Sequence, residues 1–308
     1  MSGEVPLAIT GATGFVGQAV LDELGQRNIP AQALVRRATD HRHTRIEWVM
    51  GDLNNSTALD HLCAGARAVI HIAGLTNTLD LAEFHDANVT GTANLIAAAK
   101  RDGVKRFIFV SSLSAREPEL STYGASKAEA EKLVQASGLD WTIVRPPAVY
   151  GPRDTDMLEL FRTAKFGFVP LPPGGATSII HVADLARLLL DLVDAQSALV
   201  RKKILEPDDG REGGWSHKEM AKAIGAAIGN RVFAPHLPRA VLQSAATADR
   251  LFRGAKAKLT QDRVGYMCHP NWVARSDRKV PETVWQPQIS GEAGFKSTAE
   301  WYRREGWL

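Results

Sequence analysis

The sequence predicts an α/β fold, a doubly wound parallel sheet with a smaller, mostly helical C-terminal lobe. Three observations carry this expectation. A short apolar run near the N-terminus leads straight into a glycine-rich turn and an apolar-patterned helix. Strand and helix patterns then alternate through the first half of the chain, as they do where helices wrap a parallel sheet. After Pro152 the alternation gives way to Pro/Gly-rich and helical segments.

The first unit is Val5-Pro-Leu-Ala-Ile-Thr-Gly-Ala-Thr-Gly-Phe-Val-Gly17. Its apolar residues read as a buried strand, and glycines recur at Gly11, Gly14 and Gly17 in the order G-x-x-G-x-x-G. Unpaired N–H groups at the following helix start, with the positive end of its dipole, form an anion site suited to a pyrophosphate. Gly11 is expected to allow the tight turn, Gly14 the approach of phosphate, and Gly17 close packing of helix on strand. A plain strand–helix turn is the alternative reading of the glycines alone.

Further strands are expected at Ala31–Val35, Glu47–Met50, Ala68–Ile72, Phe107–Val110 and Thr142–Val144, after the first at Leu7–Thr10. Helices are expected at Val16–Leu24, Ser56–Leu62, Asn88–Lys100 and Tyr123–Ser137. Phe107–Val110 is wholly apolar, as a strand covered on both faces should be. Val169-Pro-Leu-Pro-Pro-Gly-Gly175 is a loop by its turn chemistry, and Ile179–Val193 returns to strand-plus-helix character. Ser216 and Glu219 form a capping-box pattern, and the tail from Ser290 to Leu308 reads as a helix with Trp301, Tyr302 and Trp307 at packing positions. The expected division is a dinucleotide-binding domain of residues 1–150 and 179–206 and a substrate lobe of residues 151–178 and 207–308, covering the carboxyl ends of the strands.

Composition narrows the function classes. The 37 basic and 34 acidic residues are well mixed and leave a net charge of +3, without the basic stripe that nucleic acid requires. Two cysteines, Cys63 and Cys268, make no disulfide framework and no metal-ligand spacing, and are expected to pack as small apolar side chains. His41-x-His43 lies among Arg42 and Arg45, a poor setting for a metal, so none is expected. No apolar run reaches the roughly 20 residues of a membrane span. The first strand begins too early for a leader, so a cytoplasmic location is expected. A small-molecule substrate is the expected partner, and a homodimer is left open.

The end of the second strand bears on the nucleotide. Val35 is followed by Arg36 and Arg37 where an acidic residue would bond a ribose 2′-hydroxyl. Two guanidinium groups suit a 2′-phosphate instead, which favours NADP(H) over NAD(H); a solvated basic turn is the plainer reading. Asp52, after the third strand, could accept from an adenine amino group or serve as a turn carboxylate or helix cap.

Chemistry is expected at Ser111-Ser112 and Tyr123-Gly-Ala-Ser-Lys127. Tyr123 and Lys127 are four apart and share one helix face, with Cβ atoms roughly 6 Å apart. A phenol with a pKa near ~10 is a poor acid or base at neutral pH. A neighbouring ammonium is expected to pull it toward working pH. A serine hydroxyl at the preceding strand end can hold a substrate oxygen against the tyrosine. Phe161, Phe166 and Phe168 are candidates for an apolar substrate wall, with lobe packing the simpler role, and His71 and His181 are expected to be structural hydrogen-bonders.

These segments resemble the short-chain dehydrogenase/reductase superfamily in its extended or atypical branch, the NAD-dependent epimerase/dehydratase-like group. The matching residues are Thr10-Gly-Ala-Thr-Gly-Phe-Val-Gly17, Gly51-Asp-Leu53, His71-Ile-Ala-Gly74, Asn88-Val-Thr-Gly-Thr92, Val110-Ser-Ser112, Tyr123-x-x-x-Lys127, Arg145-Pro-Pro-Ala-Val-Tyr-Gly-Pro152 and Ile180-His-Val-Ala-Asp-Leu-Ala186. The likeness is strong over about the first 200 residues and looser in the tail.

The resemblance implies a Rossmann core, NAD(P) binding and a Ser–Tyr–Lys catalytic set. Carried over residue by residue, it makes Ser112 the catalytic serine, with Ser111 the alternate, Tyr123 the proton donor or acceptor, and Lys127 its electrostatic partner. It places the cofactor against Gly11, Thr13, Gly14, Phe15, Val16 and Gly17, then Arg36, Arg37, Asp52 and Leu53. Ile72, Ala73 and Gly74 would pass beneath it, Pro146 and Val149 would border the nicotinamide, and Tyr123 and Lys127 would reach it too. Asn88 would support the helix geometry.

The chain also departs from relatives in this group. Leu-Ser-Ala-Arg follows Ser112 where sugar-nucleotide epimerases carry Val-Tyr-Gly, and the Thr-Asp-Glu triplet of 4,6-dehydratases is absent. Only ten residues separate Ser112 from Tyr123, a short insert like that of atypical members, some of which bind NADPH without demonstrated turnover. The leading expectation is an NADP(H)-dependent oxidoreductase interconverting a carbonyl and an alcohol on a small organic substrate. The alternatives are a nucleotide-sugar epimerase and a non-catalytic NADPH-binding assembly or sensor protein.

Overall fold

The computed structural model describes residues 5–39, 45–254 and 257–308, so the His41-x-His43 pair lies outside the described residues. Six strands form in the expected order: β1 (Leu7–Thr10), β2 (Ala31–Val35), β3 (Ile46–Met50), β4 (Ala68–His71), β5 (Arg106–Val110) and β6 (Asp140–Val144). With a later strand, Lys203–Leu205, they make a seven-stranded sheet in the order Lys203–Leu205, β6, β5, β4, β1, β2, β3. Every pairing in it is parallel. The sheet is therefore a doubly wound Rossmann sheet, as the sequence predicts.

Alternation along β1 shows why the strands are so apolar. Leu7 and Ile9 enter one core and Ala8 the other, since successive side chains point to opposite faces. One face is covered by α1 (Phe15–Gln26) and the other by α2 (Ser56–Cys63), α3 (Gly91–Arg101) and α4 (Thr122–Ala136). A strand buried on both sides cannot carry exposed polar positions, so β1 and β4 are buried throughout. The chain winds from β1 to β2 and β3 on one side, then crosses to β4 on the other. The crevice at the carboxyl ends of β1 and β4 is thus the topological switch point, where open α/β sheets bind ligands.

Beyond β6 lie α5 (Leu158–Lys165), α6 (Val182–Asp194), α7 (His217–Ile228), α8 (Arg239–Arg253), α9 (Gln261–Met267) and α10 (Gly291–Arg304). The strand at Ile179–His181 pairs with Ala148–Tyr150 in a separate two-stranded sheet. The following α6 covers the main sheet beside α1, and Ile180 enters the same core. Val280 and Trp285, far along the chain, also enter that core.

A third core gathers Tyr150, Phe161, Trp215, Phe295 and Tyr302. Ser216 caps α7 with the full capping box, its hydroxyl accepting from the Glu219 N–H while the Glu219 carboxylate accepts from Ser216. A small satellite cluster, Leu242 and Ala246 on α8 against Val264 on α9, holds the outermost helix pair. Cys63 is fully buried and Cys268 half-buried, in keeping with packed thiols. No helix among the described residues is long and apolar enough to cross a membrane.

Candidate active site

The site begins at the glycine turn. Gly11 has a φ of +75°, which favours glycine, and a Cβ there would lie 2.6 Å from the Ala73 backbone nitrogen. At Gly17 a Cβ would overlap the Gly11 carbonyl oxygen, so helix and turn approach closely only through glycine. Gly14 is the N-cap of α1 and supplies no side chain to the first-turn N–H groups, and no acidic residue stands in that turn. Such a helix start keeps its donors and the positive end of its dipole for an outside anion. Thr13 and Gly14 are exposed at this turn, while Phe15 and Val16 are half-buried against the core. The turn therefore fits the pyrophosphate of a dinucleotide.

Beside it, His71 ends β4 in a buried relay. Thr92 donates to the Asn88 carbonyl oxygen (2.6 Å), so its oxygen must accept from His71 Nε2 (2.9 Å). Nδ1 is then the acceptor facing Thr10 Oγ1 (2.7 Å), and Thr10 Oγ1 also receives the Ala73 N–H (3.2 Å). Burial pushes His71 down to about 3, with the Lys127 charge adding to the effect, so the ring is neutral. The relay fixes Ile72, Ala73 and Gly74 beside Gly11. Asn88 binds both backbone groups of Leu75, accepting at 2.7 Å and donating at 3.0 Å, and donates to Ser126 (2.9 Å). It thus joins the loop after β4 to α4.

The basic and acidic candidates stand farther out. Arg36 and Arg37 are exposed after β2. Asp52 is exposed after β3, and one of its oxygens accepts the Asn54 N–H (2.8 Å) in a turn. Asn55, not Asp52, caps α2. Leu53 is half-buried, with its carbonyl oxygen bonded by Asn94.

The two serines have different partners. Ser111 is buried and donates to Glu131 (2.5 Å). Glu131 in turn takes a two-point hydrogen bond from Arg145, at 2.8 and 2.6 Å. Ser112 is half-buried, caps the short turn Leu113–Arg116, and receives the Ser114 hydroxyl (2.9 Å). The Ser112 and Ser114 hydroxyls neighbour the Tyr123 phenol and favour its ionised form. Leu113 N–H donates to the Pro146 carbonyl oxygen (3.1 Å), bringing that buried proline to the serine turn, while Val149 is half-buried nearby in sequence.

The Tyr123 phenol departs from the sequence expectation. Burial pushes it up to about 12, against the opposing influence of the Ser112 hydroxyl, instead of Lys127 drawing it toward neutrality. Lys127 is itself buried, donating to the Val110 carbonyl oxygen (2.9 Å) with its ammonium 4.3 Å from the centre of the Phe109 ring. Burial lowers it to about 8, and Glu131 one helical turn on opposes that fall.

Several groups at this site escape a local reading. Asp262, at the start of α9, accepts the N–H groups of Thr122 (2.6 Å) and Tyr123 (3.3 Å), capping α4 together with Ser121. The Tyr123 ring lies 5.9 Å from Phe84 and 6.1 Å from Tyr266, centre to centre. Asp262 is 139 residues from Tyr123 and no local pattern joins them. Glu131 was within reach, since Tyr123, Lys127 and Glu131 recur every four residues. Of the three phenylalanines, Phe161 is fully buried in the lobe core, while Phe166 and Phe168 are exposed.

The NAD(P)H-binding family model matches residues 11–196, more than half of the chain. The chain belongs to this family. Its relatives place it in the extended short-chain dehydrogenase/reductase group. A ceramide reductase of Caulobacter vibrioides (strain NA1000 / CB15N) is 37% identical over 98% of this chain and 96% of its own length. A UDP-glucose 4-epimerase of Vibrio cholerae is 28% identical, covering 96% of this chain and 94% of the relative. The crystal structure of a Thermus thermophilus UDP-glucose 4-epimerase in complex with NAD superposes with a TM-score of 0.71 over 97% of this chain and 99% of that one, at 21% identity, a likeness of fold. Members of the family are NAD(P)-dependent oxidoreductases or epimerases, and this chain is an NAD(P)-dependent enzyme of that kind.

Proposed function

We propose that the protein is an NADP(H)-dependent ketoreductase acting on an apolar carbonyl compound. The arrangement that carries this reading is the Tyr123 phenol beside the Ser112 hydroxyl, with Lys127 one turn further on and a glycine turn whose helix N-terminus is uncapped. The likeness to a ceramide reductase over nearly the whole chain supports a reductase with a lipid-like substrate. The likeness to a nucleotide-sugar epimerase is lower, and the chain lacks that group's residues after the active-site serine.

The nicotinamide, when bound, supplies the hydride. Ser112 holds the carbonyl oxygen by a hydrogen bond, and the Tyr123 O–H delivers a proton to that oxygen as it becomes an alkoxide, giving the alcohol and a phenolate. A phenol near 12 is fully protonated at neutral pH, which suits the acid required for reduction. The buried Lys127 ammonium stabilises the phenolate left behind. Glu131 and Arg145 hold the strand end beneath Ser112 through Ser111.

NADPH oxidation by the purified protein, followed with ketones of graded chain length and with UDP-glucose as the epimerase control, tests this reading. Chain-length-dependent oxidation supports it; epimerisation of UDP-glucose, or no turnover of any carbonyl, overturns it.

The exposed Arg36 and Arg37 should set nucleotide choice. Charge-assisted hydrogen bonds are worth about 1.5–3 kcal/mol each. Arg36→Ala/Arg37→Ala should therefore weaken NADPH by at least tenfold while leaving NADH nearly unchanged, as read by nucleotide-fluorescence titration. Equal losses for both would remove the 2′-phosphate assignment.

Lys127 gives a pH signature. Its ammonium is present below about 8 and is lost as pH rises through that value. Turnover should fall on the alkaline side with a midpoint near 8, and Lys127→Arg should move that limb upward, since guanidinium stays charged. A profile flat from pH 7 to 10 would remove Lys127 from the mechanism.

A further inference from the structure

The satellite helix α8 buries Leu242 and Ala246 against Val264, but a second stripe beside them is left outside. Val241, Ala245, Ala248 and Phe252 recur at i, i+4, i+7 and i+11, so they line one face. Val241 is 46% exposed and Phe252 89%, and Leu251, next to the stripe, is 80% exposed. Two large apolar side chains this bare at one helix end are unusual where nothing covers them. The helix carries three arginines, Arg239, Arg250 and Arg253, against the single carboxylate of Asp249. Leu251 and Phe252 stand in sequence between Arg250 and Arg253, the latter paired with Asp249 at 3.1 Å, and bare apolar side chains on a net cationic helix fit the headgroup region of an anionic bilayer.

The position of this end connects it to the candidate site. The N–H groups of Lys258 and Leu259 both donate to Asp249 on α8, at 2.8 and 2.9 Å, folding the chain back across the helix. Asn77, on the loop that follows Gly74, donates to the Ala257 carbonyl oxygen (2.9 Å). A few residues on, Asp262 caps the helix bearing Tyr123. Leu251 and Phe252 thus lie a few residues before Ala257–Asp262, which bonds the loop after Gly74 and the start of the helix bearing Tyr123.

We propose that α8 docks the protein on an anionic membrane surface through Leu251, Phe252 and the adjoining stripe, placing the mouth of the site where an apolar carbonyl substrate leaves the bilayer. The delivery of substrate rests on the ketoreductase reading; the docking does not.

The test is co-sedimentation of the full chain with vesicles of 3:7 phosphatidylglycerol and phosphatidylcholine, against phosphatidylcholine alone, at low and high salt. The protein should partition to the anionic vesicles and be released in part by salt. Leu251→Ser/Phe252→Ser should lower the partition coefficient at least tenfold, with thermal stability and turnover of a water-soluble short-chain ketone unchanged. Arg250→Ser should reduce the preference for anionic over neutral vesicles. Absence of vesicle binding, or equal binding by the double variant, overturns the docking. So does a concentration-dependent dimer that the double variant abolishes, since the stripe would then be a contact between copies. Docking without any NADPH oxidation counts against the ketoreductase reading alone.

Discussion

Tyr123→Phe should lower kcat for carbonyl reduction by ~10²–10⁴-fold, the usual contribution of a positioned general acid. The substitution removes one oxygen and keeps the ring, so the packing against Phe84 and Tyr266 at about 6 Å persists. Ser112 and Ser114 lose a neighbouring hydroxyl but retain the bond between them. Nucleotide affinity and melting temperature should therefore stay close to those of the parent protein, so the loss falls on kcat. Stopped-flow measurement of NADPH oxidation, with nucleotide titration alongside, separates the two. If every detected turnover survives Tyr123→Phe, the proton does not come from this phenol and the mechanism fails.

The second large effect is on stability. Glu131 and Arg145 form a buried two-point ion pair, and Ser111 gives its proton to the same carboxylate. Glu131→Gln leaves the Arg145 charge buried, with the Glu206 carboxylate at 3.6 Å as its remaining ion-pair partner among the described residues. Removing one partner of a buried pair costs about 3–5 kcal/mol. In a chain of this size that is a fall in melting temperature of roughly 10 °C, measurable by calorimetry. A change within ~2 °C would show that Glu206 alone satisfies Arg145. The same substitution removes the carboxylate that holds Lys127 up, so the alkaline limb of turnover should shift below 8. That coupled shift distinguishes a role at the site from simple destabilisation.

Much of this arrangement is legible along the chain. Six strands and the helices between them follow from apolar runs and helical spacing, because both periodicities arise from local backbone geometry. Their ends differ by only a few residues: β1 and β2 coincide with the expected ranges, whereas α3 starts at Gly91 after a π-helical turn at Asp86–Thr90. The lobe was less readable, since its short strands pair with partners far away, as Ala176–Thr177 does with Trp215–Ser216 and Asn271–Trp272. The seventh strand is only three residues long and is recruited to the sheet by β6.

The sequence by itself determined the strand–turn–helix order, the need for glycine at Gly11 and Gly17, and the shared face of Tyr123 and Lys127. These depend on sterics and spacing within a few residues. Only the tertiary structure tied Ser111 to Glu131, set Ser112 and Ser114 beside the phenol, and raised Tyr123 by burial instead of letting Lys127 draw it toward phenolate. It alone brought Asp262 to the start of the tyrosine helix and left Leu251 and Phe252 bare. Desolvation and long-range hydrogen bonding set these outcomes, and both depend on what the rest of the fold packs around each group.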